Sequence, residues 1–136
     1  MLKSIRNTTA LAILALCSGA ALAATTYTVT IEDPGGHSNG DYGNVNAVHA
    51  GARAVTALVQ TLPDAVIASM KGGATVNAIA ADCTFTVKVA DDKAAAAKPV
   101  IEKTVAEAIA AENAFRGVKK GDLVRGAPAE VRATVK

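Results

Sequence analysis

Tryptophan is absent from this sequence, and two tyrosines and two phenylalanines supply all of its aromatic side chains. A core without large rings has to be filled by valine, isoleucine and alanine, so its helices and strands must approach closely. Histidine is as scarce, with only His37 and His49. Two histidines without ligand spacing or accompanying carboxylates do not make a zinc site, and no metal is expected. The glycine pairs Gly35-Gly36 and Gly72-Gly73 lack the lysine and threonine that follow in a phosphate loop. They read as backbone corners, and no cofactor is called for. Cysteine is limited to Cys17 and Cys83, and past the N-terminal leader no apolar run is long enough to span a bilayer.

The leader itself is well marked. Lys3 and Arg6 precede the short apolar run Leu11–Cys17, and Ala21-Leu22-Ala23 places small residues at a cleavage position. Residues 1–23 therefore read as a secretory signal peptide, and the product is expected to be exported, to the periplasm or outside the cell. Acylation at Cys17 is the rival reading. Leu16 stands before it where that processing takes a small residue, and a single acyl chain anchors only weakly. Cleavage would leave Cys83 alone, with no intramolecular disulfide.

Losing Lys3 and Arg6 also changes the charge. The 14 basic and 12 acidic residues of the whole chain become 12 of each. No basic field remains to hold nucleic acid. Residues 24–136 are one small domain.

Within it, Tyr27, Val29 and Ile31 alternate with threonines, the period of a half-buried strand. Pro34-Gly35-Gly36 opens a polar loop to about Asn44. From Val45 the period becomes helical, with a stripe of Val45, Val48, Ala52, Val55 and Val59 widened by Leu58. Asn44 or Asn46 can cap this helix, and Pro63 lies beyond its end. Residues 66–71 form a second strand and 83–89 a third, with Cys83, Phe85, Val87 and Val89 on one face. Asp91-Asp92-Lys93 reads as a solvated turn, and Ala94–Lys98 leads to Pro99, which suits the first turn of a second helix.

That helix is expected to run to about Arg116, with Ile101, Val105, Ala108, Ile109 and Phe115 inward and Gly117 as its stop. Glu112 falls in the same stripe and fits only by reaching solvent at the helix end. A last strand, 130–136, turns Val131, Ala133 and Val135 inward. The order predicts an α+β, ferredoxin-like βαββαβ two-layer sandwich: a four-stranded antiparallel sheet with two helices on one face.

The stretch from Thr26 to Val59, followed by Gly72–Val89, resembles the dimerisation (lid) domain of metallopeptidase family twenty, a group of zinc exopeptidases and amidohydrolases. The matching parts are Gly36-His37-Ser38, Asn46-Ala47, Gly72-Gly73 and Val76-Asn77-Ala78-Ile79, in the family's order. The resemblance implies a lid that pairs with its twin through the first helix and an edge strand. It further implies that His37 reaches a partner's active site to donate to a developing oxyanion, and that Asn77 helps hold substrate. In that family the lid is an insertion in a larger zinc-binding domain. The zinc-ligand set is missing here, Ala80 replaces the usual proline after Ile79, and no arginine ends the third strand. Catalysis by this chain alone is not expected.

Apart from the resemblance, His37 is an ordinary loop histidine and His49 a solvated helix residue. Cys83 on a buried strand face behaves as a small hydrophobe. The reading that follows is an exported, non-catalytic lid domain that forms a homodimer through the edge strand 66–71 and the first helix. Ala50, Gly51 and Ala54 would let two copies approach closely. Two alternatives stand beside it: a subunit lending His37 to a separately encoded catalytic peptidase, and a peptide-binding module.

Overall fold

Tyr27, Val29 and Ile31 are buried along β1 (Ala24–Glu32) in the computed structural model, which describes residues 23–136. The leader and Cys17 lie outside the described residues, apart from Ala23. After β1 come the two-residue β2 (Gly36–His37), α1 (Ala47–Thr61), β3 (Val66–Gly72), the two-residue β4 (Ala78–Ile79) and β5 (Asp82–Ala90). Then follow α2 (Asp91–Phe115), the hairpin strands β6 (Leu123–Val124) and β7 (Ala127–Pro128), and β8 (Arg132–Val135). The four main strands make one antiparallel sheet in the order β3-β5-β1-β8, with β3 and β8 at its edges. That is the expected ferredoxin-like arrangement.

Register explains how so few aromatics suffice. Val29 stands opposite Phe85, Ile31 opposite Cys83 and Tyr27 opposite Val87, so the inward residues of the two central strands meet directly. Leu58 of α1 and Ile101 of α2 close over them, both fully buried. Burying such a side chain stabilises by about 1.5–3 kcal/mol. Cys83 is among these residues, and burial, with the nearby Asp82 charge, pushes its thiol pKa up. A protonated, enclosed thiol is unreactive.

The core face of α1 differs from the expected stripe. Ala47, Ala50, Gly51, Ala54 and Leu58 are buried, whereas Ala52 and Val59 are exposed and Val48 and Val55 lie half-buried on the flank. Small residues won the inner face because the helix lies almost on the sheet. A Cβ on Gly51 would come within 2.6 Å of Cys83 Sγ. Ala50, Gly51 and Ala54 are therefore interior to this protomer and line no surface for a second copy.

Three expectations for the second half are also corrected. Helix α2 begins at Asp91, so Asp91 and Asp92 form its acidic first turn and Pro99 lies inside it. The run of alanines favours helix, and acidic side chains suit the positive end of its dipole. Pro99 leaves the carbonyl of Ala95 without its usual partner, but both residues are exposed and water can supply the bond. Phe115 is 67% exposed instead of inward, and Glu112 is fully buried instead of reaching solvent. Finally, β8 starts at Arg132 instead of residue 130. The Asn113 carboxamide takes the place of a strand partner for Val131, accepting from its N–H at 2.9 Å and donating to its carbonyl at 3.2 Å.

Candidate functional site

The loop between β1 and α1 is built around two glycines. Gly35 and Gly36 have φ of 60° and 152°, and a Cβ on Gly36 would collide with Asp41. This turn brings β2 beside β4, pairing Gly36 with Ile79 and His37 with Ala78. The two segments singled out in the sequence, Gly-His-Ser and Val-Asn-Ala-Ile, thus become a two-stranded ribbon at one end of the sandwich. Ser38 N–H donates to the Asn77 carbonyl at 3.0 Å, extending it by one bond.

His37 and Asn77, both exposed, are brought into contact. His37 Nε2 lies 3.3 Å from the Asn77 carboxamide nitrogen, and Thr75 Oγ1 lies 3.0 Å from its oxygen. Asn39 N–H donates to His37 Nδ1 at 3.2 Å. A neutral ring that accepts at Nδ1 carries its proton on Nε2. A half-turn of the carboxamide then lets Nε2–H donate to the Asn77 oxygen while the amide nitrogen donates to Thr75. Nε2 is then a hydrogen-bond donor held by Asn77, and it reaches an oxyanion or carboxylate oxygen only by exchanging that partner.

Acidic residues hold the loop from inside. Asp33 Oδ1 accepts from Gly35 N–H at 2.6 Å, while its buried Oδ2 has no side-chain or backbone partner. Desolvation raises the Asp33 pKa to about 6, against the opposing bond from the Gly35 N–H and the influence of the Ala47 backbone. Asp41 Oδ2 accepts from His37 N–H at 2.8 Å, and Arg125 Nη1 donates to both Asp41 oxygens at 2.8 Å. That guanidinium holds the Asp41 carboxyl below the usual carboxylate range. At the start of α1, Asn46 Oδ1 accepts from Val48 and His49 N–H, the cap foreseen for one of two asparagines.

Beside this ribbon lies a cluster that sequence patterning missed. Glu112 accepts from Arg53 Nε at 3.0 Å and from Arg116 Nε at 3.2 Å. Both guanidiniums lie over the Phe115 ring, with their carbons 5.2 and 5.1 Å from its centroid. Arg116 Nη2 also meets His49 Nδ1 at 3.2 Å. Periodicity places Glu112 inward but cannot show that two arginines 63 residues apart meet it there. A shallow cleft of about 150 Å³ separates Arg116 from Ser38 and Tyr42 of the His37 loop. A larger one of about 580 Å³, lined by Leu62, Val89 and Ala97 among others, lies at the other end of the sandwich.

These histidines do not fit a zinc site. His37 is engaged at both nitrogens by Asn39 and Asn77, His49 faces a guanidinium, and among the described residues no three histidine, cysteine or acidic side chains gather. Among the same residues no helix is long and apolar enough to cross a membrane.

Comparison with known proteins bears on the fold and the family. Residues 22–116 match the family described as the peptidase dimerisation domain. The fold is shared with aminoacylhistidine dipeptidase from Vibrio alginolyticus, at 18% identity and a TM-score of 0.60, over 82% of this chain and 21% of that one. It is shared with an aminobenzoyl-glutamate utilization protein from Klebsiella pneumoniae, at 15% identity and 0.55, over 83% and 27%. A hydantoinase/carbamoylase family amidase from Burkholderia ambifaria is similar at 21% identity and 0.54, over 83% and 26%. This chain thus spans about a quarter of those structures' length. No curated protein matches it. With the match covering well over half of its residues, the chain belongs to the peptidase dimerisation domain family.

Proposed function

We propose that this protein is an exported dimerisation module that self-associates through β3 and the adjoining flank of α1 and performs no catalysis on its own. The observation that carries the reading is the state of β3. It is an edge strand, nearly all of its residues are exposed, and Val66 and Met70 are 59% and 39% exposed. An unpaired, mostly uncharged edge is a template for strand addition. Exposed Val59 on α1 carries apolar surface of the same kind. A second copy would complete the β3 ladder across a two-fold axis and cover these side chains. Export rests on the leader pattern at residues 1–23 and is tested by fractionating cells and sequencing the product's N-terminus. Self-association is tested by light scattering, where a protomer mass at all micromolar concentrations would refute it.

The contact between His37 and Asn77 favours one further use. The module presents the exposed His37, whose Nε2–H would exchange Asn77 for a substrate oxygen, to a separately encoded catalytic peptidase subunit. Co-purification with such a subunit, and loss of its activity on His37→Ala, would support that use. Saturable binding of short peptides to the module alone would point instead to a peptide-binding role.

A further inference from the structure

Arg125 is, among the described residues, the one side chain outside glycine with a left-handed backbone, at φ 50°. It and Gly126, at φ 79°, form the two-residue turn between β6 and β7. Such a turn needs positive φ at both positions and ordinarily takes asparagine, aspartate or glycine at the first. An arginine there carries backbone strain, and strain retained at one place points to a use for the side chain. The side chain has one. It grips both oxygens of Asp41 at 2.8 Å and reaches the Gly35 carbonyl at 3.4 Å. Asp41 in turn holds the His37 N–H at 2.8 Å. The hairpin lies after residue 116, beyond the segment that matches the family.

We propose that Arg125 is a positioning residue: the β6–β7 hairpin is a strap that fixes the His37 loop through Asp41 and so holds the His37–Asn77 pair in register. The loop's other bonds are internal to its own segment or go to Asn77 and β4. Gly35 N–H goes to Asp33, the Gly35 carbonyl takes Asn44 Nδ2 at 3.1 Å, and Asp41 N–H goes to the His37 carbonyl at 2.9 Å. Arg125 ties this loop to the C-terminal part of the chain, with a charge-assisted pair at two oxygens. The functional meaning rests on the reading of His37 as a presented group; the mechanical claim does not.

The test uses Arg125→Asn, which suits the turn better than arginine and so preserves the hairpin, and Asp41→Asn, which leaves Arg125 in place. Nitrogen NMR of the imidazole reports the His37 tautomer, and amide exchange reports its N–H. In both variants the His37 amide should exchange about tenfold faster and the ring should lose its fixed tautomer. Core amides such as Phe85 and the melting temperature should stay close to the parent's. Arg125→Lys, which keeps one charge-assisted bond, should restore part of the protection. If His37 amide and ring signals are unchanged in both variants, the strap does not position the loop and the proposal fails. Light scattering on the same samples reads self-association separately, so a monomeric parent refutes the dimer and leaves the strap to be judged by His37.

Discussion

Arg53 on α1 and Glu112 on α2 meet at 3.0 Å, with the glutamate fully enclosed and the arginine partly open to water. The pair cross-links the two helices over the sheet, and Arg116 makes a second bond to the same carboxylate at 3.2 Å. Removing one partner of a buried ion pair costs more than the pair contributes, because the other charge is left desolvated.

Truncations should therefore be asymmetric. Glu112→Ala strands two cations and a buried gap, and is expected to destabilise by about 3–5 kcal/mol. Arg53→Ala leaves Arg116 in place and removes a partly exposed group, and is expected to cost about 1 kcal/mol. Urea unfolding of both variants reads the difference; equal losses would mean that Glu112 is not the shared anchor.

The closeness of α1 to the sheet gives a second test. Gly51→Ala gains about 1 kcal/mol of helix propensity, yet its Cβ would lie 2.6 Å from Cys83 Sγ. Overpacking should win, for a net loss of about 1–3 kcal/mol. Adding Cys83→Ala should recover part of it, a favourable coupling in the double-mutant cycle. Additive losses would show that the two positions do not touch.

Asp33 gives the fold a pH dependence of known direction. Its carboxyl titrates at about 6 in the fold and near 3.8 when unfolded, with Glu112 and Asp82 as the acidic groups acting on it. Between those values the folded chain holds the extra proton. The group's contribution is full below 3.8 and is lost as pH rises through about 6. At one unit per about 1.4 kcal/mol, the loss by neutral pH is on the order of 3 kcal/mol. Asp33→Asn keeps the acceptor for Gly35 N–H and abolishes the titration, so its stability relative to the parent should rise between pH 4 and 7. A difference independent of pH would contradict this assignment.

The strands and their order were legible because alternation at Tyr27–Ile31 and Cys83–Val89 is strict and both runs face one core. His37 and Asn77 could be named from the family pattern, and the ribbon of β2 and β4 explains why that pattern places them together. Helical faces were less legible. In a chain rich in alanine, Val48, Val55 and Val59 mark a stripe on α1 by hydrophobicity, but the side against the sheet belongs to alanines and Gly51, chosen for thinness. The start of α2 was obscured by Pro99, which usually marks a first turn and here sits on an exposed side where its missing bond is tolerated. Glu112 and Arg125 depend on partners far along the chain, Arg53 and Asp41, and no local pattern announces them.

The edge strand leads to the last prediction. Ala68 interrupts the pairing register of β3 with β5 and is exposed. Ala68→Lys puts a charge on the proposed seam, where two copies would bring like charges together. It should shift the protein to monomers without lowering the melting temperature of the protomer. A variant that unfolds, or that leaves the assembly intact, would move the interface elsewhere.

The most direct measurement is the solution mass of the protein by light scattering after gel filtration, across the micromolar range. A stable mass of two protomers, halved by Ala68→Lys, is the predicted result. A single protomer at every concentration would contradict the account of this chain as a self-associating module.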